Sequence, residues 1–280
     1  MTTILNADRF LLELHIGRAD IIPFYTENIS IQYQNHLVVD QLNLQIPIEK
    51  VTAIIGANGC GKSTILKTLA RILEPSSGSV YLDGKQIHKE STKQIAKQLA
   101  ILPQLPEAPE GTTVKELVSF GRFPHRKGFG YLSKHDQHVI EETLVKTGLL
   151  EFKDKPVHQL SGGQRQRAWI AMAITQETPY LLLDEPTTYL DIAHQLDVLS
   201  LIKQLNEEEN RTIIMVVHDL NHAARYADHI VAVKQGKIYT EGAPSDVLTH
   251  KMLKDVFQVK ANIIVEPHTG LPTCIPYEKI

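Results

Sequence analysis

Nine consecutive residues, Gly56-Ala57-Asn58-Gly59-Cys60-Gly61-Lys62-Ser63-Thr64, combine loop glycines with a cation and two hydroxyls. That set suits an anion with several oxygens. The glycines let backbone N–H groups turn inward around it. Lys62 can reach the β- and γ-phosphates of a nucleoside triphosphate, and the Ser63 hydroxyl can hold Mg²⁺. A second group ends an apolar run, Tyr180-Leu181-Leu182-Leu183-Asp184-Glu185. Asp184 is placed to share Mg²⁺ with Ser63. Glu185 faces differently and can orient, or take a proton from, the water that attacks the γ-phosphate. A third group is Leu160-Ser161-Gly162-Gly163-Gln164. Here a Ser hydroxyl, glycine N–H groups and a helix N-terminus make another anion site. One chain therefore offers two phosphate-binding surfaces, where a simple P-loop enzyme needs one.

The elements that position these groups follow from the pattern of apolar residues. Val51 to Ile55 reads as a buried strand leading into the glycine loop, and Ser63 to Leu73 as the helix leading out. Further strands are expected at Ile29 to Tyr33, Leu42 to Ile46, Ser79 to Leu82, Leu99 to Leu102, Tyr180 to Leu183 and Thr212 to Val217. Gln235-Gly236 marks a hairpin between Val231–Lys234 and Lys237–Thr240. From Val114 to about Leu160 strand signals vanish, and helices at Val114 to Phe120 and Lys134 to Thr147 flank a Gly/Pro/aromatic loop. Gly162 to Ile174 continues as helix from Ser161, and Ala193 to Glu207 is another. The expectation is an α/β P-loop NTPase core with a mostly parallel sheet, an antiparallel β flank and an inserted helical subdomain at about 105–175. Residues 1–25 are expected as an extension dispensable for catalysis, 26–266 as the ATPase domain and 267–280 as a Pro-punctuated tail.

Composition narrows the partners. At 280 residues and 42% hydrophobic the chain can bury a full core. A net charge of −3 provides no basic field, so nucleic acid is not expected as a partner. Two cysteines, Cys60 and Cys274, cannot build a disulfide framework, which suits a reducing cytoplasm. No apolar run approaches the ~18 residues of a membrane span, and early charges such as Asp8, Arg9 and Glu13 break any signal-peptide core. A soluble chain that docks on a membrane protein is expected. Cys60, beside Lys62 and a helix N-terminus, is expected to be a reactive thiol that bound nucleotide protects.

With Leu160 to Gln164 the sequence resembles the ATP-binding cassette (ABC) family, whose signature reads LSGGQ. The resemblance covers roughly Thr26 to Glu266. It implies that two copies meet head to tail around two ATP molecules, the P-loop of each facing the signature of the other. It assigns Tyr33 to adenine stacking, Gln104 to contact with Mg²⁺ or the attacking water, Asp191 to a loop crossing the dimer, and His218 to the γ-phosphate. Tyr33 also reads as a strand tyrosine of the core. Tyr189 stands where the family has a small residue, which leaves that loop's contact open.

The resemblance also implies a separate ATPase subunit for a membrane permease. Ser161 follows Lys62 by 99 positions, too few for the long coiled coil of repair ATPases. Only 62 residues follow His218, too few for the regulatory domain of sugar-importer ATPases. Leu102-Pro103-Gln104, Glu116-Leu117-Val118, Gly121-Arg122-Phe123-Pro124-His125, Arg165 to Ala173 and Leu190-Asp191-Ile192-Ala193-His194-Gln195 are similar to the importers of iron–siderophores, haem and cobalamin. Iron–hydroxamate and iron–catecholate importers match best. Haem, cobalamin or another metal chelate remain alternative cargoes, and a non-transport ABC module remains an alternative class. The implied partners are a second copy, the permease and, indirectly, a substrate-binding protein, with the chain peripheral at the cytoplasmic face of the inner or plasma membrane. The surface between Gln104 and His125, Arg122 and Phe123 first, is where the permease is expected to dock.

Overall fold

The computed structural model describes residues 23–33, 36–126 and 131–280. Its centre is a six-stranded sheet in the order β11-β10-β4-β9-β8-β7. The strands are β4 (Val51–Gly56), β7 (Leu99–Leu102), β8 (Tyr180–Asp184), β9 (Thr212–Val216), β10 (His229–Lys234) and β11 (Lys237–Gly242). All neighbours run parallel except β10 and β11, which form the expected hairpin. Every residue of β4, β8 and β9 is buried, so these strands are apolar throughout rather than alternating. Alternate side chains enter two different cores. Ala53, Ile55, Leu183 and Met215 pack toward the helices, while Ile54, Leu182, Ile214 and Val231 pack toward the other side.

That other side is closed by an antiparallel sheet, β2-β1-β5-β6 with β3 also on β1. Its strands are β1 (Phe24–Tyr33), β2 (His36–Leu42), β3 (Gln45–Ile46), β5 (Ser77–Leu82) and β6 (Lys85–Gln86). Between the sheets lies α1 (Lys62–Leu69). It ends four residues before the expected Leu73 because Arg71 adopts a left-handed φ of +62°. A shorter helix, α2 (Thr92–Ile95), precedes β7.

The strand start also revises an expectation. β1 begins at Phe24, inside the segment read as an extension. Phe24 is fully buried and meets Tyr180 edge-on at 5.3 Å. A truncation starting at Thr26 should therefore lose about 3–5 kcal/mol, the range for deleting a core Phe. Chemical denaturation of the two forms checks this. Equal stability would show that Phe24 contributes nothing to the core. The rest of the expected extension, residues 1–22, lies outside the described residues.

Between β7 and β8 the chain folds into α3 (Val114–Phe120), α4 (Lys134–Lys146) and α5 (Gly162–Ile174). Thr113, Ser133 and Ser161 cap their N-termini, each reciprocated by the side chain three residues on. Arg122 ties the end of α3 to α4 and to the end of α5. It was expected as a docking residue, but it is buried and binds Asp136 at 2.7 Å, Glu177 at 2.6 Å and the Thr175 carbonyl at 2.8 Å. Burial alone would raise the Asp136 carboxyl. Hydrogen bonds from Ser133 and Arg122, with the Arg122 charge, outweigh it and hold the group at about 2. Because this value is depressed in the folded state, the stabilisation is complete above pH about 4 and is lost as the pH falls toward 2. Arg122→Ala should cost about 3–5 kcal/mol by leaving a buried carboxylate unpaired. Urea melts at pH 7 should show it, and wild-type stability would refute the role.

The helix α6 (Ile192–Glu209) joins β8 to β9, and α7 (Leu220–Tyr226) joins β9 to β10. The segment expected as a tail contains β13 (Pro272–Lys279), paired antiparallel with β12 (Val259–Val265). The expected boundary at 266 thus falls in the turn of a hairpin. Cys274 is buried there, and its backbone exchanges hydrogen bonds with the Asn221 side chain. Prolines obscured this strand because they break the alternation on which sequence reading relies.

Candidate functional site

The glycine loop sits at the C-terminal end of β4, where a parallel sheet presents its ligand edge. Gly56 has no room for a side chain, since a β-carbon there would lie 2.3 Å from the Val233 carbonyl oxygen. Gly61 caps α1 with a left-handed φ of +105°, which aims the helix N-terminus into the loop. Lys62 is buried, and its ammonium donates to the carbonyls of Gly56 at 2.9 Å and Ala57 at 3.1 Å. It is thus held across the loop it must serve.

Cys60 behaves differently from its expectation. Its side chain joins the core with Ile54, Ile65, Leu66 and Val233. Burial pushes the thiol up, and the nearby Lys62 charge only partly opposes it. Cys60 is therefore a packing residue rather than an activated nucleophile.

Ser63 Oγ donates to Asp184 Oδ1 at 2.8 Å, joining α1 to the end of β8. Asp184 is buried, and its Oδ2 has no hydrogen-bond partner among the described residues. Burial raises the Asp184 carboxyl, with the Ser63 hydroxyl and the charges of Lys67 and Lys62 pulling the other way and Glu185 adding to the rise. An orphaned buried carboxylate oxygen beside a serine hydroxyl fits a divalent cation, which would supply the missing partner.

Glu185 is the convergence point. It adopts a left-handed φ of +52°, which turns its side chain away from the direction Asp184 takes. Gln104 Nε2 donates to Oε2 at 2.5 Å, Thr188 Oγ1 donates to the same oxygen at 3.1 Å, and His218 Nε2 stands 2.5 Å from Oε1. Gln104 follows β7 and His218 follows β9, so three adjacent strand ends meet on one carboxylate. Since the Gln104 amide nitrogen faces Glu185, its oxygen is the atom left to face a cation. Thr188 was missed in the sequence, where it reads only as part of a turn after Pro186.

These groups line one open cavity of about 380 Å³, with Asn58, Gly59, Gly61, Lys62, Ser63, Thr64, Gln104, Glu185, His218 and Val38 in its wall. A larger cavity, about 650 Å³, lies among Arg71, His88, Thr92 and Gln176 and holds none of the motif residues. The expected phosphate-loop residues, with Gln104, Glu185 and His218, line the smaller one.

Several expected site residues do not reach it. Ser161 and Gly162 are exposed at the start of α5, Asp191 is exposed as the cap of α6, and Tyr33 is half-exposed at the end of β1. None lines the cavity. Gly163 is buried and Gln164 half-buried, with the Gln164 side chain accepting from the Ser161 N–H at 3.1 Å. Within one chain the Ser161 to Gln164 turn thus stands apart from the P-loop cavity.

A P-loop, an acid-tipped strand of the same sheet and a separate helix-capping signature define a nucleoside-triphosphate hydrolase of the cassette type. The match with known proteins sharpens this. The family described as ABC transporter matches residues 39–188. The chain is 55% identical to the iron(3+)-hydroxamate import ATP-binding protein FhuC of Bacillus subtilis, over 91% of this chain and 95% of that protein. It is 44% identical to the ferric enterobactin transport ATP-binding protein FepC of Escherichia coli, over 89% and 92% of the two chains. Its fold is similar to a structure described as an inward-facing metal-chelate type ABC transporter, with a TM-score of 0.79 at 29% identity and 91% and 97% coverage. It is also similar to the dimeric cassette MJ0796 bound to ADP and Pi, with a TM-score of 0.70 at 28% identity and 79% and 98% coverage. The chain belongs to the ABC transporter family, and its enzymatic activity is ATP hydrolysis coupled to transport. Among the described residues no helix is long and apolar enough to cross a membrane.

Proposed function

We propose that this chain is the ATPase subunit that energises import of an iron(III)-siderophore complex, a hydroxamate first, through a membrane permease. The observation that carries the proposal is 55% identity to an iron(3+)-hydroxamate import ATP-binding protein across nearly the whole of both chains. The site supports it, because a complete P-loop and acid cluster stand in one chain with a signature that faces outward.

Two copies meet head to tail. Each brings Ser161, Gly162, Gly163, Gln164 and Asp191 to the nucleotide on the other's P-loop, and Tyr33 stacks on the adenine. The backbone of Gly56 to Gly61 cradles the phosphates, and Lys62 exchanges its loop carbonyls for phosphate oxygens. Ser63 and Asp184, with the Gln104 oxygen, would hold Mg²⁺, which would supply charge neutralisation to the phosphates. Glu185 orients water and accepts its proton, while Gln104, Thr188 and His218 fix the carboxylate in place.

The permease docks beside the helices. A cavity of about 430 Å³ lies between the loop after Gln104 and α5, walled by Pro106, Ala108, Pro109, His158, Arg165 and Trp169. Leu105 is 71% and Phe123 57% exposed. Such large apolar side chains on a surface suit a partner helix. The assembled subunit is peripheral, at the cytoplasmic face of the membrane, and a substrate-binding protein delivers the chelate.

The test is uptake of a radiolabelled iron(III)-hydroxamate by cells lacking the gene for this chain. Wild type should restore uptake. Leu105→Asp and Phe123→Asp should not, although each purified variant keeps the basal ATPase rate. Restored uptake of haem or cobalamin, but not of the iron(III)-hydroxamate, would overturn the cargo, and full uptake by both variants would overturn the docking surface.

A further inference from the structure

The run Leu190 to Gln195 is not used by the cavity, yet its side chains are committed. Asp191 caps α6, and its Oδ1 accepts from the His194 N–H at 2.9 Å. The same oxygen is 2.7 Å from His194 Nδ1, so the ring donates a second hydrogen bond to it. Gln195 Nε2 donates back to the carbonyls of Leu190 at 3.0 Å and Thr187 at 3.4 Å. The loop after Glu185 is thus laced to the first turn of α6.

The other face of the His194 ring lies on Gly163. A β-carbon added at Gly163 would stand 2.1 Å from His194 Cδ2 and 2.6 Å from Cγ. That is deep overlap with a ring already held by Asp191. The backbone of Gly163 does not adopt a left-handed φ, so no turn geometry demands glycine there. The neighbouring glycine differs. At Gly162 an added β-carbon would meet only Leu190 Cδ2, at an ordinary 3.7 Å. Two glycines of one motif therefore have different reasons to be glycine. Gly163 answers to His194 within its own protomer, whereas Gly162 is open toward a ligand.

We infer that His194 is a positioning residue that locks the signature turn, Ser161 to Gln164, to the loop carrying Asp191, so that both reach the partner's nucleotide as one rigid unit. The inference rests on the head-to-tail reading above, in which both loops of one copy serve the other copy's site. Two loops joined by a packed ring and a short hydrogen bond arrive in register. Two independent loops must be ordered separately at the moment of association, which weakens it. His194 is not in the wall of the P-loop cavity, so its removal should leave the chemistry of an assembled dimer intact.

The test measures specific ATPase activity against protein concentration, together with ATP affinity of the monomer. For wild type, activity per subunit should rise with concentration as dimers form. If it does not, the head-to-tail reading fails and not the brace alone. His194→Ala should raise the concentration for half-maximal activity by about tenfold at unchanged monomer affinity for ATP, within the coupling range of contacting residues. A purely structural role would lower activity equally at all concentrations. Gly163→Ala should shift it at least as far in the wild-type background and by less than about twofold when His194 is already Ala. Equal effects of Gly163→Ala in both backgrounds, or an unshifted curve for His194→Ala, would overturn the inference. Should Gly163→Ala fold poorly, the His194→Ala curve decides alone.

Discussion

Glu185→Gln is expected to keep ATP bound and to slow hydrolysis by roughly 10²–10⁴-fold, the range for a lost general base. The expectation follows from how the carboxylate is held. Three side chains from three strand ends fix its two oxygens, with His218 on Oε1 and Gln104 and Thr188 on Oε2. The amide keeps the shape and one acceptor oxygen, which can still take the bonds from Gln104 and Thr188, while its NH2 group turns to His218, whose ring nitrogen must then accept. It loses the charge that takes a proton from water. Asp184, which carries the orphaned oxygen suited to a cation, is untouched, so capture of nucleotide should survive. Single-turnover rates with pre-bound ATP check this. Wild-type rates in the variant would place the base elsewhere.

Lys62→Ala should fail at an earlier step. The ammonium is buried and bridges the carbonyls of Gly56 and Ala57. It is both the cation nearest the expected β- and γ-phosphates and a strut across the loop. Phosphoryl transfer relies on positioning and charge stabilisation, so removing one preorganised donor should lower turnover by about 10²–10³-fold. Weak ATP affinity should accompany the loss, unlike in Glu185→Gln. Equilibrium binding of a fluorescent ATP analogue separates the two variants. Unchanged affinity and turnover in Lys62→Ala would refute the assignment of the loop.

Much of this is legible in the sequence, for a physical reason. Buried parallel strands are apolar along their whole length, and the chemistry stands at their ends, so Ile55, Leu102, Leu183 and Val217 announce Gly56, Gln104, Asp184 and His218. The helix caps were equally plain, because Ser161 and Gln164 satisfy each other three residues apart. What could not be read was direction. Nothing in the order of residues says that Cys60 points into the core while its neighbours face the cavity, or that Arg122 turns inward to Asp136. Thr188 is invisible for the same reason, since its value lies in the left-handed turn at Glu185. Phe24 was obscured because its partner, Tyr180, is distant in sequence.

The central claim is that each active site is shared between two copies, and the outward position of Ser161 and Gly162 relative to the P-loop cavity is its structural basis. The most direct measurement is the molecular mass of Glu185→Gln by light scattering, with and without saturating MgATP. The account predicts a monomer without nucleotide and a stable dimer with it. It also predicts that adding Ser161→Arg, which blocks the signature without touching the P-loop, returns the protein to a monomer that still binds ATP. A monomer at saturating MgATP, or a dimer indifferent to Ser161→Arg, would contradict it.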